Sequence, residues 1–285
     1  MGSLRARPPT QPIACRAMAV QLHAARVLLT GASGGIGNAI ARALHARGAT
    51  LVVSGRRVEQ LEALRGELGE ERVEPLPADL ANPGEARALA ERAGAVDVLV
   101  ANAALPASGP IDGFSAEQID RALDVNLRAP IQLTHALLPA MKQRGGGHLV
   151  YTSSMAGKIA NPGSALYSAT KYGLRGFSLC LHEDLLGSGI GVTTIFPGFV
   201  RDAGMWADTG LKTPQGIRTS SPEQVAAAVI RGIERNVAEI DVAPLEVRAS
   251  ARLAGLSPRL VAAVGRRGGA RATSDEIAAA QRDKR

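Results

Sequence analysis

The chain has 285 residues, 46% of them apolar, which is enough for a large buried core in one or two domains. Its formal charge of +7 sits at the ends: residues 1–25 hold three Arg and no acid, residues 247–285 hold nine basic groups against three acids, and residues 26–246 hold 21 basic groups against 23 acids. That distribution argues against a nucleic-acid-reading body. Two cysteines, Cys15 and Cys180, exclude a disulfide framework and a cysteine-based metal site, and they fit a reducing, cytoplasmic location.

Apolar strands alternate with amphipathic helices along the chain, the pattern of a parallel sheet covered on both faces. Residues 1–23 read as an upstream or disordered extension without a signal peptide's apolar stretch, and Met18 is the expected natural start; a short transit peptide is the alternative. Strands are expected at Arg26–Thr30, Thr50–Ser54, Val73–Pro75, Asp97–Ala101, His148–Ser153, Val192–Ile195 and Ile240–Ala243. Helices are expected at Gly35–Arg47, Val58–Leu68, Asn82–Arg92, an interrupted stretch over Ser115–Gln143, Ser164–Leu186 and Pro222–Arg235. The last of these carries Ser221 as its cap and Pro222 at its first position. Cys180, inside an apolar helical stretch, reads as a buried small hydrophobe. Residues 246–264 read as a basic amphipathic helical extension split by Pro258, able to cover the cleft or a subunit edge or to lie on an acidic membrane. Residues 265–285, polar and rich in Gly and Arg, read as disordered. No apolar run approaches the ~20 residues that cross a bilayer.

Two residue groups carry chemistry. Tyr167 and Lys171 stand one helical turn apart on one face, with Ser154 thirteen positions upstream. A nearby cation favours the phenolate and pulls a tyrosine pKa of ~10 towards neutrality, giving a proton donor and acceptor. The first strand-to-helix turn is Thr30-Gly31-Ala32-Ser33-Gly34-Gly35-Ile36-Gly37, whose glycines bring backbone N–H groups to a pyrophosphate at a helix N-terminus. The same turn matches the hydrolase nucleophile-elbow pattern Gly31-x-Ser33-x-Gly35. A hydrolase would also need a downstream Asp and His, and the histidines His23, His45, His135, His148 and His182 are scattered without triad or metal spacing.

With Asp79-Leu80, Asn102-Ala103 and Asn126 in order between these groups and Pro197-Gly198 after them, the chain resembles the short-chain dehydrogenase/reductase (SDR) family over about residues 24–245. The resemblance implies an α/β fold: a single doubly wound Rossmann-type parallel sheet of about seven strands with helices on both faces. It implies a catalytic tetrad in which Tyr167 is the acid/base, Lys171 lowers its pKa and holds the nicotinamide ribose, Ser154 polarises the substrate oxygen and Asn126 holds a water of the proton relay. Gly31, Ser33, Gly35, Ile36 and Gly37 would bind the dinucleotide phosphates, Asp79 and Leu80 the adenine side, Asn102 and Ala103 the cofactor floor, and Pro197, Gly198 and Val200 the nicotinamide end. The chain departs from the family pattern at Ala101 and Ala104, which flank Asn102-Ala103, and at Asp202, which stands where a Thr commonly bonds the carboxamide.

Gly55 stands where NAD-preferring members carry an acid, and Arg56 and Arg57 follow it, so NADP(H) is the expected cofactor, with Arg56 the favoured contact to the 2′-phosphate. Phe199–Pro214 is expected to form a lid. Asn161, Leu166, Phe199, Met205 and Trp206, together with Lys158, are expected to face an apolar cleft for a ketone or aldehyde. The activity implied is reversible NADP(H)-dependent carbonyl reduction and alcohol oxidation by a homodimer or homotetramer. The alternatives are a non-catalytic NADP(H) sensor and, within the enzyme class, a dehydrogenase working mainly as an oxidant.

Overall fold

The structure is a computed structural model that describes residues 20–211, 218–267 and 269–284. Met1, Met18 and Cys15, and the 212–214 end of the expected lid, lie outside the described residues. In chain order the elements are β1 (Arg26–Thr30), α1 (Gly35–Ala46), β2 (Thr50–Ser54), α2 (Val58–Leu68), β3 (Val73–Pro75), α3 (Glu85–Ala93), β4 (Val98–Ala101), α4 (Ala116–Leu123), α5 (Ala129–Arg144), β5 (Gly147–Thr152) and α6 (Ala165–Asp184). They continue with β6 (Ile190–Pro197), α7 (Gly204–Ala207), α8 (Pro222–Arg235), β7 (Glu239–Val242), α9 (Leu245–Leu256), α10 (Pro258–Arg267) and α11 (Ala270–Ala280).

All seven strands pair in parallel in the order β3-β2-β1-β4-β5-β6-β7. The chain runs outward from β1 to β3, then crosses back to β4 on the other side of β1. That reversal opens a crevice at the carboxyl ends of β1 and β4, the place where doubly wound sheets bind ligands. Both faces are covered, and successive residues of a strand serve opposite faces. Val27 and Leu29 of β1 pack with Ile40 and Leu44 of α1, Leu61 and Leu64 of α2, and Val225, Val229 and Ile233 of α8. Leu28, between them, packs on the other face with Leu89 of α3, Leu133 and Leu137 of α5, and Leu174 of α6.

Local signals set the helix ends. Ser115 and Gln118 form a capping box at α4, and Ser221 and Gln224 form another at α8, with Pro222 in its first turn. The expected interruption near 124 is a π-type turn, Asp124–Arg128, between α4 and α5. Helix α3 begins three residues later than expected because Asn82-Pro83-Gly84 forms a turn, with the Glu85 N–H donating to the Asn82 carbonyl.

Two expectations are corrected. Within 265–285, expected to be disordered, Ala270–Ala280 is a helix whose alanines suit helical backbone and whose Ser274 and Ala278 are buried one turn apart. Cys180 is exposed, because α6 turns Leu174 and Ser178 inward instead.

His148 of β5 is buried, with its Nε2 2.9 Å from Thr193 Oγ1. Burial, helped by His182, lowers its pKa from 6.5 to about 3. The folded protein therefore holds His148 neutral while the unfolded chain binds a proton below pH 6.5. The stability from neutral His148 is complete above that pH and is lost as pH falls towards the folded value, at up to about 1.4 kcal/mol per pH unit. Urea unfolding of the wild type and of His148→Gln between about pH 6.5 and 5 should show a smaller loss in the variant; parallel slopes would contradict the assignment.

Candidate active site

The glycine-rich turn closes at the carboxyl end of β1. Gly31 has φ +67° and lies so close to the chain after β4 that a Cβ there would stand 2.8 Å from Ala103 Cα. Only glycine meets both demands. The amides of Gly35, Ile36 and Gly37 form the first turn of α1, the set a helix leaves without intrahelical partners. Ser33 sits on the turn itself, and its carbonyl accepts from Arg57 Nη2 at 2.5 Å.

The floor is held from below by a residue whose side-chain role the sequence did not reveal. The hydroxyl of Thr30, buried at the end of β1, accepts from the backbone N–H groups of both Asn102 and Ala103 at 3.1 Å. Asn102 Nδ2 also donates to the Thr30 and Gly31 carbonyls at 3.3 and 3.4 Å. Asp79 accepts from the Ala81 N–H at 3.1 Å, which shapes the turn after β3, and Leu80 is buried beside it. That turn is tied to β2 by the Ala78 N–H donating to the Gly55 carbonyl at 3.1 Å. At Gly55, where a ribose-binding acid is usual, there is no carboxylate, and a Cβ would stand 2.6 Å from the Ser33 hydroxyl. Arg56 and Arg57 are both exposed beside it, and Arg57 is the one bonded to the phosphate turn.

Tyr167 and Lys171 on α6 meet Ser154 at the end of β5. Ser154 lies near enough to the Tyr167 phenol to act on its ionisation, and its own hydroxyl accepts from the Ala156 N–H at 3.2 Å. Lys171 is buried, with its Nζ donating to the Thr152 carbonyl at 3.0 Å and lying 5.6 Å from the Tyr167 ring centroid. Ser153 Oγ donates to the Lys171 carbonyl at 3.0 Å, a second tie between β5 and α6.

The electrostatics of this pair correct the sequence expectation. Burial pushes Tyr167 up to about 12, against a lowering contribution from Ser154, and burial pushes Lys171 down to about 8. Desolvation disfavours the charged form of both groups, and the ammonium is held by the Thr152 carbonyl.

Asn126, fully buried in the π-type turn, accepts from the Leu105 N–H at 2.6 Å and donates to the Leu105 carbonyl at 2.9 Å. Its side chain thus clamps the loop after the cofactor floor, a use different from the water contact that the resemblance implies.

At the far end of the crevice β6 stops at Pro197, and the Gly198 N–H donates to the Val242 carbonyl at 3.0 Å. Val200 bridges Ser220, and its side chain is buried in the core, which leaves only its backbone to face a ligand. The lid then folds back over the glycine turn, with Gly204 against Ile36 and Ala203 against Gly35. Asp202, at φ +65°, makes that reversal. The Phe199 and Trp206 rings are in contact, tilted at 46° with centroids 4.5 Å apart, and the Met205 carbonyl accepts from Gln281 Nε2 at 3.3 Å. Asn161 is exposed, and Leu166 is buried with Ala107 and Ala122 as wall rather than as free surface. Lys158 does not face the cleft: its Nζ lies 2.7 Å from Asp241 and 2.9 Å from Glu239 and sits over the Phe196 ring. Two carboxylates and an aromatic face outbid open solvent for that ammonium. Among the described residues no group of three or more His, Cys, Asp or Glu is placed to hold a metal ion.

A glycine-rich helix N-terminus at a sheet's switch point, next to a serine–tyrosine–lysine group, is the arrangement of a dinucleotide-using oxidoreductase. The family model for short chain dehydrogenase matches residues 25–213. The chain is 42% identical over 187 residues to nodulation protein G of a Rhizobium species, covering 64% of this chain and 76% of that one. It is 35% identical over 224 residues to the ketoacyl reductase HetN of a Nostoc species, covering 76% and 77%. A short-chain dehydrogenase from Sphingobium yanoikuyae, solved in complex with NADPH, superposes with a TM-score of 0.73 at 31% identity over 81% of this chain and 92% of that one. This chain belongs to the short-chain dehydrogenase/reductase family of oxidoreductases.

Replacing Thr30 by Val keeps the shape but orphans the Asn102 and Ala103 N–H groups. Buried unsatisfied donors cost about 1–3 kcal/mol each, so urea unfolding should show a loss of at least that size. A neutral substitution would mean the hydroxyl does not hold the floor.

Proposed function

We propose that this chain is an NADP(H)-dependent oxidoreductase that interconverts an apolar ketone or aldehyde and its alcohol. The observation that carries the reading is buried Lys171, tied to the Thr152 carbonyl beside Ser154 and one turn from Tyr167, at the same edge of the sheet as the Thr30–Gly37 turn. NADPH, when bound, supplies the hydride. The first-turn amides of α1 would hold its pyrophosphate, Asn102 and Ala103 its floor, and Asp79 and Leu80 its adenine side. Lys171 would hold the nicotinamide ribose, and Pro197, Gly198 and the Val200 backbone the nicotinamide end. The missing carboxylate at Gly55 and the exposed guanidiniums of Arg56 and Arg57 favour a 2′-phosphate over a free 2′-hydroxyl. The NADPH in the Sphingobium relative, and the NADP+ in a serine dehydrogenase that superposes at a TM-score of 0.70 and 31% identity, agree with this choice.

In the reduction, Ser154 would donate a hydrogen bond to the substrate oxygen while Tyr167 delivers its proton there, so charge is neutralised as it forms. A phenol raised by burial stays protonated at neutral pH, which suits it as the acid. Phe199 and Trp206, in contact with each other in the expected lid, would give the cleft an apolar character. A homodimer or homotetramer is in keeping with exposed Tyr172 and Leu179 on α6 and Leu186 just beyond it.

Tyr167→Phe should abolish turnover on a carbonyl panel while leaving NADPH binding, followed by fluorescence, within about twofold. Full activity would reject the tyrosine's role, and tight binding by the wild type without turnover on any carbonyl would favour a sensor. The Arg56→Ala/Arg57→Ala variant should raise KM for NADPH about tenfold or more with little change for NADH; a wild-type preference for NADH would remove the cofactor assignment. Because oxidation needs the phenolate and the pKa is raised, kcat/KM for alcohol oxidation should climb between about pH 6 and 9 while that for reduction stays flat over the neutral range. An oxidation rate independent of pH would contradict Tyr167 as the base.

A further inference from the structure

Among the described residues ten large apolar side chains are exposed, and five of them, Leu245, Leu253, Leu256, Leu260 and Val264, lie on α9 and α10. Leu256, at the corner between the two helices, is 86% exposed. Helix α10 has no fully buried residue: Val261, Ala262 and Ala263 are half-buried, and Leu260 and Val264 are exposed. Residues 247–267 also carry five arginines and no acid. Arg252, Arg259, Arg266 and Arg267 form no ion pair among the described residues, and the neighbouring Glu246 is engaged by Arg218 at 3.0 Å.

The inner face of α9 has a different character. Val247 and Ala251 pack with Met155, Phe196 and Ile159, so α9 is seated on the body next to the loop that follows Ser154. The outward side of α9 and α10 is therefore a surface of leucines interspersed with guanidiniums that form no ion pair among the described residues.

We propose that the α9–α10 hairpin docks on an anionic lipid membrane. Such a surface takes both parts of the face at once: the leucines enter the boundary between headgroups and acyl chains, and the arginines meet lipid phosphates. At 12 and 10 residues neither helix reaches the ~20 needed to cross a bilayer, so the hairpin lies in the plane of the interface. A second copy of the chain fits less well, because a two-fold contact would set this acid-free basic face against itself. A nucleic acid would leave the leucines without a partner. Since α9 backs the loop after Ser154, docking sets the reaction centre within about a helix diameter, ~10 Å, of the lipid. If the function proposed above holds, a membrane-dissolved carbonyl compound is the substrate class this placement serves.

The test is sedimentation of the full chain with vesicles of phosphatidylcholine alone and of phosphatidylcholine with phosphatidylglycerol in equal parts. The expected result is at least about tenfold stronger partitioning onto the phosphatidylglycerol vesicles, weakening as salt rises. The Leu256→Glu/Leu260→Glu variant and the Arg259→Gln/Arg266→Gln/Arg267→Gln variant should each lose about tenfold. NADPH binding measured on the same samples reports whether each variant is folded and keeps this result separate from the proposed activity. Equal binding to both vesicle types, or undiminished binding by the leucine variant, overturns the proposal. So does a fall in molar mass by light scattering on Leu256→Glu/Leu260→Glu, which would assign the face to a second copy of the chain.

Discussion

The ammonium of Lys171, buried and hydrogen-bonded to the Thr152 carbonyl, is the contact on which the arrangement of the site depends. It joins the end of β5 to the middle of α6, and the Ser153 hydroxyl repeats the link to the Lys171 carbonyl. Ser154 follows just beyond the strand and Tyr167 is one turn back along the helix, so the two ties determine how those hydroxyls are placed. A charge kept out of water needs such a partner. The cost appears in the ionisation of both groups, with Lys171 lowered and Tyr167 raised. At Gly157 a Cβ would stand 2.8 Å from the Lys171 carbonyl, so the loop after Ser154 lies directly on the same helix.

The crevice opposite is built by the same economy. Thr30 ends β1 and its one hydroxyl receives two amides from the chain after β4, bringing the two strands that flank the topological reversal into contact at the ligand-facing edge. The Asn126 amide does the equivalent for the loop at Leu105. Side chains in these places hold backbone rather than ligand, which leaves the backbone amides at the start of α1 as the natural anion site.

Beyond β7 the chain is put to a different use. Val247 and Ala251 extend the wall behind the Ser154 loop, and α11 reaches the lid through Gln281 and the Met205 carbonyl and packs Ser274 near Gly163. The C-terminal helices thus touch both sides of the cleft while presenting α10 outward. The lid itself rests on the glycine turn at Ala203 and Gly204, so whatever enters the crevice and whatever the lid covers share one boundary.

The sequence by itself determined the alternation of strands and helices, the capping of α8 by Ser221, the interruption before α5, and the spacing of Tyr167 and Lys171, because each depends on residues within a turn or two of one another. It also gave the glycine turn, since dense glycine between a strand and a helix has few other uses. Only the tertiary structure decided which way Lys158 points, that Asn126 and Thr30 spend their polar atoms on distant backbone, and that Val200 is core. The same holds for the direction of the tyrosine's ionisation: a helical interval places a cation near a phenol, but desolvation depends on what the rest of the fold packs around them. The helix at Ala270–Ala280 was hidden for a related reason, since its buried Ser274 and Ala278 are not hydrophobic enough to mark a face until a partner surface is present.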